Sequence, residues 1–179
     1  MAGKISFSHV GVFVMDLDRM VEFYTKHLGL VVTDRAMMRD GKAEIAFLTG
    51  DPREHHQVVF ATGRPKDMNY NMIQQLSFRM DSLATMRKVY AGLKSEPIIE
   101  LGPVTHGNAL SAYFRDPEGN RLEIFVDSPW HAEQPLGEPV DMSMSDEEIW
   151  ALVEKTAKNR SGAITRKNWS AEQIGRAHV

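Results

Sequence analysis

The chain contains no cysteine among its 179 residues. That absence removes disulfides, thiolate metal ligands and thiol nucleophiles together. There is no basic excess either: 21 Lys and Arg stand against 24 Asp and Glu, and the net charge of −3 gives no electrostatic footprint for nucleic acid. No apolar run approaches the roughly 20 residues needed to span a bilayer. The opening MAGKISFSHVGVFV lacks an apolar core with a cleavage site, so a soluble cytoplasmic protein with no membrane partner is expected. What is present, 42% hydrophobic and 25% charged residues, fits one ordinary globular domain with an appendage. A chain of this length buries a sizeable core without covalent staples.

FSHVGVFV alternates as a strand, with Val10, Val12 and Val14 on one side and His9, Gly11 and Phe13 on the other. DLDRMVEFYTKHLGL follows as an amphipathic helix on Met20, Phe23, Tyr24 and Leu28, stopped at Gly29. Three strands come next: LVVTDRAM, AEIAFLTG and HQVVFAT. After the loop GRPKDMNYN the order repeats as IQQLSFRM, the helix SLATMRKVYAGLK, a weak strand near PIIEL, then NALSAYFRD and NRLEIFV. Adding 66 carries His9 onto Gln75, Met20 onto Met86 and Tyr24 onto Tyr90. Both helices open just after an aspartate, Asp16 and Asp81. The pattern predicts an α+β fold: two βαβββ modules, at about 5–66 and 71–130, forming a curved eight-stranded cup able to bind a metal. Residues 131–179 form a C-terminal extension: a proline-rich stretch, then a helix with Ser145 and Glu148 spaced as a capping box and Ile149, Trp150 and Val153 as its apolar stripe. Trp130 and His131 are placed at the cup mouth, and the terminal IGRAHV resembles translated adapter sequence.

Strand alternation then sorts the polar groups. Leu76, Phe78 and Met80, and likewise Leu122, Ile124 and Val126, take the helix side. The opposite face receives Gln75, Ser77 and Arg79, Glu123 with Phe125, and His56 with Val58 and Phe60. Together with His9 these bring imidazole, carboxamide and carboxylate to one concave surface, a donor set suited to Mn, Fe, Co or Zn with open positions toward the cavity. Taken singly, each residue has a plainer reading. His9 is a half-exposed histidine, Glu123 pairs with Arg115 or Arg121, His55 and His56 are a surface pair, and Tyr113 fills a strand face.

SHVGVFVMDLDRMVEFYTKHLGL in the first module and THGNALSAYFRDPEGNRLEIF in the second carry a family likeness. Over residues 5–130 the chain resembles the vicinal oxygen chelate superfamily, which includes glyoxalase I, bleomycin-resistance proteins and type I extradiol dioxygenases. FRDPEGNRLEIF is its most specific stretch, and the second segment most resembles the ring-cleaving dioxygenases of catechols and biphenyldiols. That resemblance implies metal ligands at His9, Gln75 and Glu123, with Fe(II) or Mn(II) as the metal. It implies His56 as proton carrier, with His106 and Tyr113 on the substrate oxygens. The implied partners are a small catecholic aromatic substrate and dioxygen, and a homodimer is left open. Gln75 departs from the pattern, since a carboxamide is a neutral, weaker donor than the histidine it replaces. Glyoxalase I has a carboxylate late in the fourth strand, where this chain is apolar around Phe60. The alternatives are a non-redox lyase, isomerase or hydrolase of the same superfamily, and a ligand-sequestering protein without turnover.

Overall fold

The computed structural model describes residues 6–68, 70–97 and 100–177, the side chains of 174–177 excepted. Ile98 and Ile99 of the expected PIIEL strand lie outside the described residues. The chain divides into two compact units, Met1–Ile73 with Asp116–Asn120, and Gln74–Arg115 with Arg121–Val179.

The first unit runs β1 (Val10–Val14), α1 (Leu17–Leu28), β2 (Val31–Met37), β3 (Glu44–Thr49) and β4 (Val58–Thr62), in a sheet ordered β1-β4-β3-β2. Asp16 caps α1 by accepting from the Arg19 N–H at 3.0 Å. Gly29, at φ 68°, supplies the left-handed residue that ends the helix. Met20 and Tyr24 are fully buried, and the Tyr24 ring meets Phe60 of β4 edge-on at 4.8 Å. Phe60 therefore faces the helix, together with Val58, not the opposite face expected of it. β4 begins at Val58 and pairs Val10↔Val58 and Val12↔Phe60, so the helix side of β1 sets the parity of β4.

The turn Asp116–Asn120 belongs to this unit and works as a clasp. Asp116 Oδ1 accepts from the backbone N–H groups of Glu118 and Asn120, and Oδ2 accepts from the Tyr24 hydroxyl at 3.0 Å. Glu118 Oε1 accepts from the N–H groups of Met15 and Asp16, at 2.7 and 2.9 Å. Its other oxygen meets the Arg64 guanidinium at 3.4 Å, in a pair whose side chains are 8% and 2% exposed. The DPEGN of the sequence signature thus fixes the strand-to-helix joint through hydrogen bonds. Burial, then the neighbouring Asp116 charge, hold the Tyr24 phenol well above its ordinary pKa, so it remains a donor.

The second unit repeats the order with β5 (Leu76–Arg79), α2 (Leu83–Leu93), β6 (Gly102–Thr105), β7 (Ala109–Arg115) and β8 (Arg121–Asp127). The extension adds β9 (Trp130–His131), β10 (Glu138–Pro139), α3 (Asp146–Lys158), β11 (Ile164–Thr165) and α4 (Arg166–Ala177). α3 carries the full capping box between Ser145 and Glu148. β10 joins the module strands in a five-stranded sheet, β10-β6-β7-β8-β5, and β9 pairs with β11.

The expected eight-stranded cup is not what these strands build. The fold is α+β with mixed sheets, but the eight module strands lie in two separate open sheets, neither closed nor curled. Among the described residues β1 is laddered only to β4, and β5 only to β8, so each ends its own sheet; closing a cup requires a hydrogen-bonded partner there. Among the described residues no helix is long and apolar enough to cross a membrane.

Candidate functional site

In the first unit the expected His9 and His56 are brought together, with ring centroids 4.2 Å apart. His56 does not lie on β4. It sits with His55 in the bend that precedes the strand, so alternation does not send the two rings to opposite faces. They touch, Nδ1 to Nδ1 at 2.8 Å, and Phe47 lies against both. His55 Nε2 stands 2.7 Å from Asp34 Oδ2, on β2 just past its register shift. A carboxylate only accepts, so His55 Nε2 carries hydrogen. In neutral His55 the Nδ1 then accepts from His56 Nδ1–H, which leaves His56 Nε2 as the lone-pair end of the chain. Lost solvation first, and then the nearness of His9 and His55, lower the His56 pKa below its ordinary value.

The second unit holds a cavity of about 440 Å³ on the sheet face opposite α2. Alternation along β8 delivers Glu123, Phe125 and Asp127 to it, while Leu122 and Ile124 are fully buried on the other side. Pairing places Ser77 beside Glu123 and Arg79 beside Phe125. Glu123, only 7% exposed, accepts at Oε2 from Ser77 Oγ at 2.6 Å and from Gln75 Nε2 at 3.0 Å. Two expected site residues are therefore in direct contact, with Gln75 as a hydrogen-bond donor to Glu123. Glu123 pairs with neither arginine named as its plainer partner. Arg115 goes to Glu100, and Arg121 lies over the Tyr113 ring at 4.3 Å.

Tyr113 and His106 are also joined, with the phenol 2.9 Å from His106 Nε2. The other ring nitrogen of His106, Nδ1, meets the Leu136 carbonyl. That oxygen can only accept, so Nδ1 carries the hydrogen and Nε2 of the neutral ring accepts from Tyr113 O–H. Gly107 holds the loop in place at φ 73°; a Cβ there would lie 2.9 Å from Ala157 Cα of α3, so only glycine permits this approach. Burial first, then the nearby Glu123 carboxylate, push the Tyr113 phenol up to about 12. Ser111 lies close enough to ease that ionisation slightly. Its own buried Oγ makes no hydrogen bond of ordinary length and angle.

Sequence reasoning missed Asp34, Asp127 and Arg166; it set Ser77 and Arg79 on the site face without a role, and read His55 only as one of a surface pair. Ser77 and Arg79 carried a signal, since they share the parity of Gln75. Arg166 carried none, because nothing in the spacing brings α4 to β8. Trp130 and His131 do not line the cavity: His131 stacks on Trp169 at 4.5 Å, and Lys158 covers Trp130.

The family model described as Glyoxalase/Bleomycin resistance protein/Dioxygenase superfamily matches residues 6–124. The chain belongs to that superfamily. It is 26% identical over 132 residues to biphenyl-2,3-diol 1,2-dioxygenase 2 of Rhodococcus globerulus, covering 72% of this chain and 66% of that protein. It is 27% identical over 124 residues to a probable chloroplastic lactoylglutathione lyase of Arabidopsis thaliana, covering 68% of this chain and 35% of that one. The chain thus spans between a third and two thirds of these relatives' lengths. Among solved structures, the fosfomycin resistance protein FosX of Mesorhizobium loti superposes with a TM-score of 0.52 at 17% identity, over 69% of this chain and 91% of that one, a likeness of fold.

The family resemblance implies a metal, and the donor set tests that implication. Among the described residues no three His, Cys, Asp or Glu side chains group closely enough to hold one. Within the second unit Gln75 turns its amide nitrogen, which has no lone pair to give, toward Glu123. As arranged, these side chains do not fit a divalent cation.

Proposed function

We propose that this superfamily member is an enzyme that transforms a small molecule by proton transfer, without change of oxidation state, in the manner of a lyase or isomerase. The observation that carries the reading is the Gln75/Ser77–Glu123 cluster beside the Tyr113–His106 pair on one cavity wall. Glu123, one oxygen held by two donors, takes a proton from carbon beside a carbonyl group. Tyr113 keeps its own proton to about pH 12, and turns its O–H from His106 to the oxygen on which negative charge develops. Glu123 gives the proton back to the enolate, at its oxygen or at carbon, so atoms and electrons balance within the substrate. A volume of about 440 Å³ suits a molecule of this class.

Deuterium exchange tests this directly. In D2O the wild type should exchange the hydrogens beside the carbonyl of phenylpyruvate or 4-phenyl-2-butanone faster than buffer does. Tyr113→Phe and Glu123→Gln should each lose roughly two orders of magnitude or more of that rate while remaining folded. Exchange that survives both substitutions would overturn the reading.

The metal-dependent ring-cleaving reading, with Fe(II) or Mn(II), dioxygen and a catechol, has the support of the dioxygenase relative but not of the donor arrangement. Anaerobic titration of the Fe(II)-supplemented protein with catechol decides it. A chelate band followed by a cleaved product on admitting oxygen would displace the acid–base reading.

A further inference from the structure

We infer that the cavity takes an aryl carboxylate, whose anionic end is recognised by Arg79 and Arg166; this rests on the assignment of the cavity as the substrate site. Asp127 is straddled by two guanidiniums, Arg79 Nε at 3.1 Å and Arg166 at 2.7 Å, and all three side chains line the cavity. Two positive charges around one negative charge leave a surplus of one. Each guanidinium has five N–H donors in a planar fork matched to a carboxylate. Both side chains line the cavity and remain part-exposed, at 63% and 38%, so neither guanidinium is enclosed by its bond to Asp127.

The rest of the wall fits the remainder of such a molecule. Phe125 lies next along β8, with Arg79 5.4 Å from its ring centre, and offers an apolar face to an aromatic ring. Glu123 stands four residues from Asp127, about 13 Å of strand. An anion held by the arginines is thus kept away from the carboxylate that would repel it, and its far end is directed to Tyr113. Arg166 comes from α4, beyond the segment 6–124 that matches the superfamily, so its share of the preference belongs to this chain's extension, while Arg79 lies within that segment.

The test uses benzoate and benzamide as probes, equal in shape and different in charge, titrated calorimetrically into the full chain. Benzoate should bind about tenfold more tightly at low salt, and the margin should shrink as salt rises. Arg166→Gln and Arg79→Gln should each remove most of the margin, whereas Asp127→Asn should widen it by releasing both arginines from their counter-ion. A folding defect would weaken benzoate in all three variants, so the opposite sign of Asp127→Asn separates recognition from architecture. Equal binding of the two probes, or loss of benzoate in Asp127→Asn, would overturn the proposal. Failure here is distinct from failure of the acid–base reading. In the former, Tyr113-dependent exchange persists with no preference for carboxylate; in the latter, benzoate still prefers the arginines while exchange ignores Tyr113.

Discussion

The two units use one strand order for different ends. β1-β4-β3-β2 in the first corresponds to β5-β8-β7-β6 in the second, with the first strand of each parallel to the last. Where the second pairs Ser77 with Glu123 and Arg79 with Phe125, the first pairs Gly11 with Val59 and Phe13 with Ala61. The same ladder positions hold an acid–base group in one unit and apolar or small residues in the other. The polar chemistry of the first unit has moved off the sheet, to His9 and to the bend bearing His55 and His56. A ladder fixes where a side chain stands, and leaves open what stands there.

The buried carboxylates sharpen that contrast. Glu118, in the first unit, is enclosed by two backbone donors and Arg64, so Glu118→Ala should destabilise the protein by about 3 kcal/mol, because Arg64 is left buried without its counter-charge, with only Asn71 and the backbone carbonyl of residue 118 to accept from it. Glu123→Gln in the second keeps shape and several hydrogen-bonding options, and should cost much less than that while removing exchange activity. Urea denaturation of the two variants checks the order. Similar losses of stability would mean that Glu123 is as structural as Glu118.

The histidine bend gives a smaller effect. His55→Ala removes one of the neighbours that disfavour charge on His56, so the His56 titration followed by NMR should move up toward the ordinary imidazole range. A lowered folded pKa means that the unfolded chain binds the proton more readily. Its stability contribution is present above the ordinary value near 6.5 and is lost as pH falls. His55→Ala should flatten that acid-side decline, and an unchanged His56 titration would remove His55 from the chain of rings.

The smallest signal lies at high pH. Tyr113 holds its proton to about 12 in the folded protein, above the ordinary phenol. The resulting stability is present below about pH 10 and fades as pH rises toward 12. Subtracting the Tyr113→Phe profile from that of the wild type should isolate this loss. A difference curve that is flat from pH 10 upward would show that Glu123 and burial do not act on the phenol.

Local features were legible in the sequence because their causes are local. Asp16 before an apolar-periodic run, Gly29 after it, and Ser145 with Glu148 are caps that depend on a few neighbouring residues. Alternation along RLEIFVD placed Glu123 and Phe125 on one face because that strand is long and regular. The same counting failed for Val58 and Phe60, since it started at His56, two residues before the ladder begins. The expected cup failed for a non-local reason: periodicity assigns faces to strands, but which strand meets which edge depends on residues distant in sequence. The two-residue β10, Glu138–Pro139, has no periodicity to read, and its proline fits only the sheet edge it occupies.

The carbonyl of Leu136 decides which way a hydrogen bond runs. It lies in the extension, outside the segment shared with the superfamily, yet it dictates which nitrogen of His106 accepts from Tyr113. Polarity in this corner is therefore written by main chain, which point mutation at position 136 leaves in place. Exchanging the extension for that of another superfamily member would free the imidazole to adopt its other tautomer and run the Tyr113 bond in reverse. The direction of this hydrogen bond is, in this molecule, a property of a loop that lies outside the shared segment.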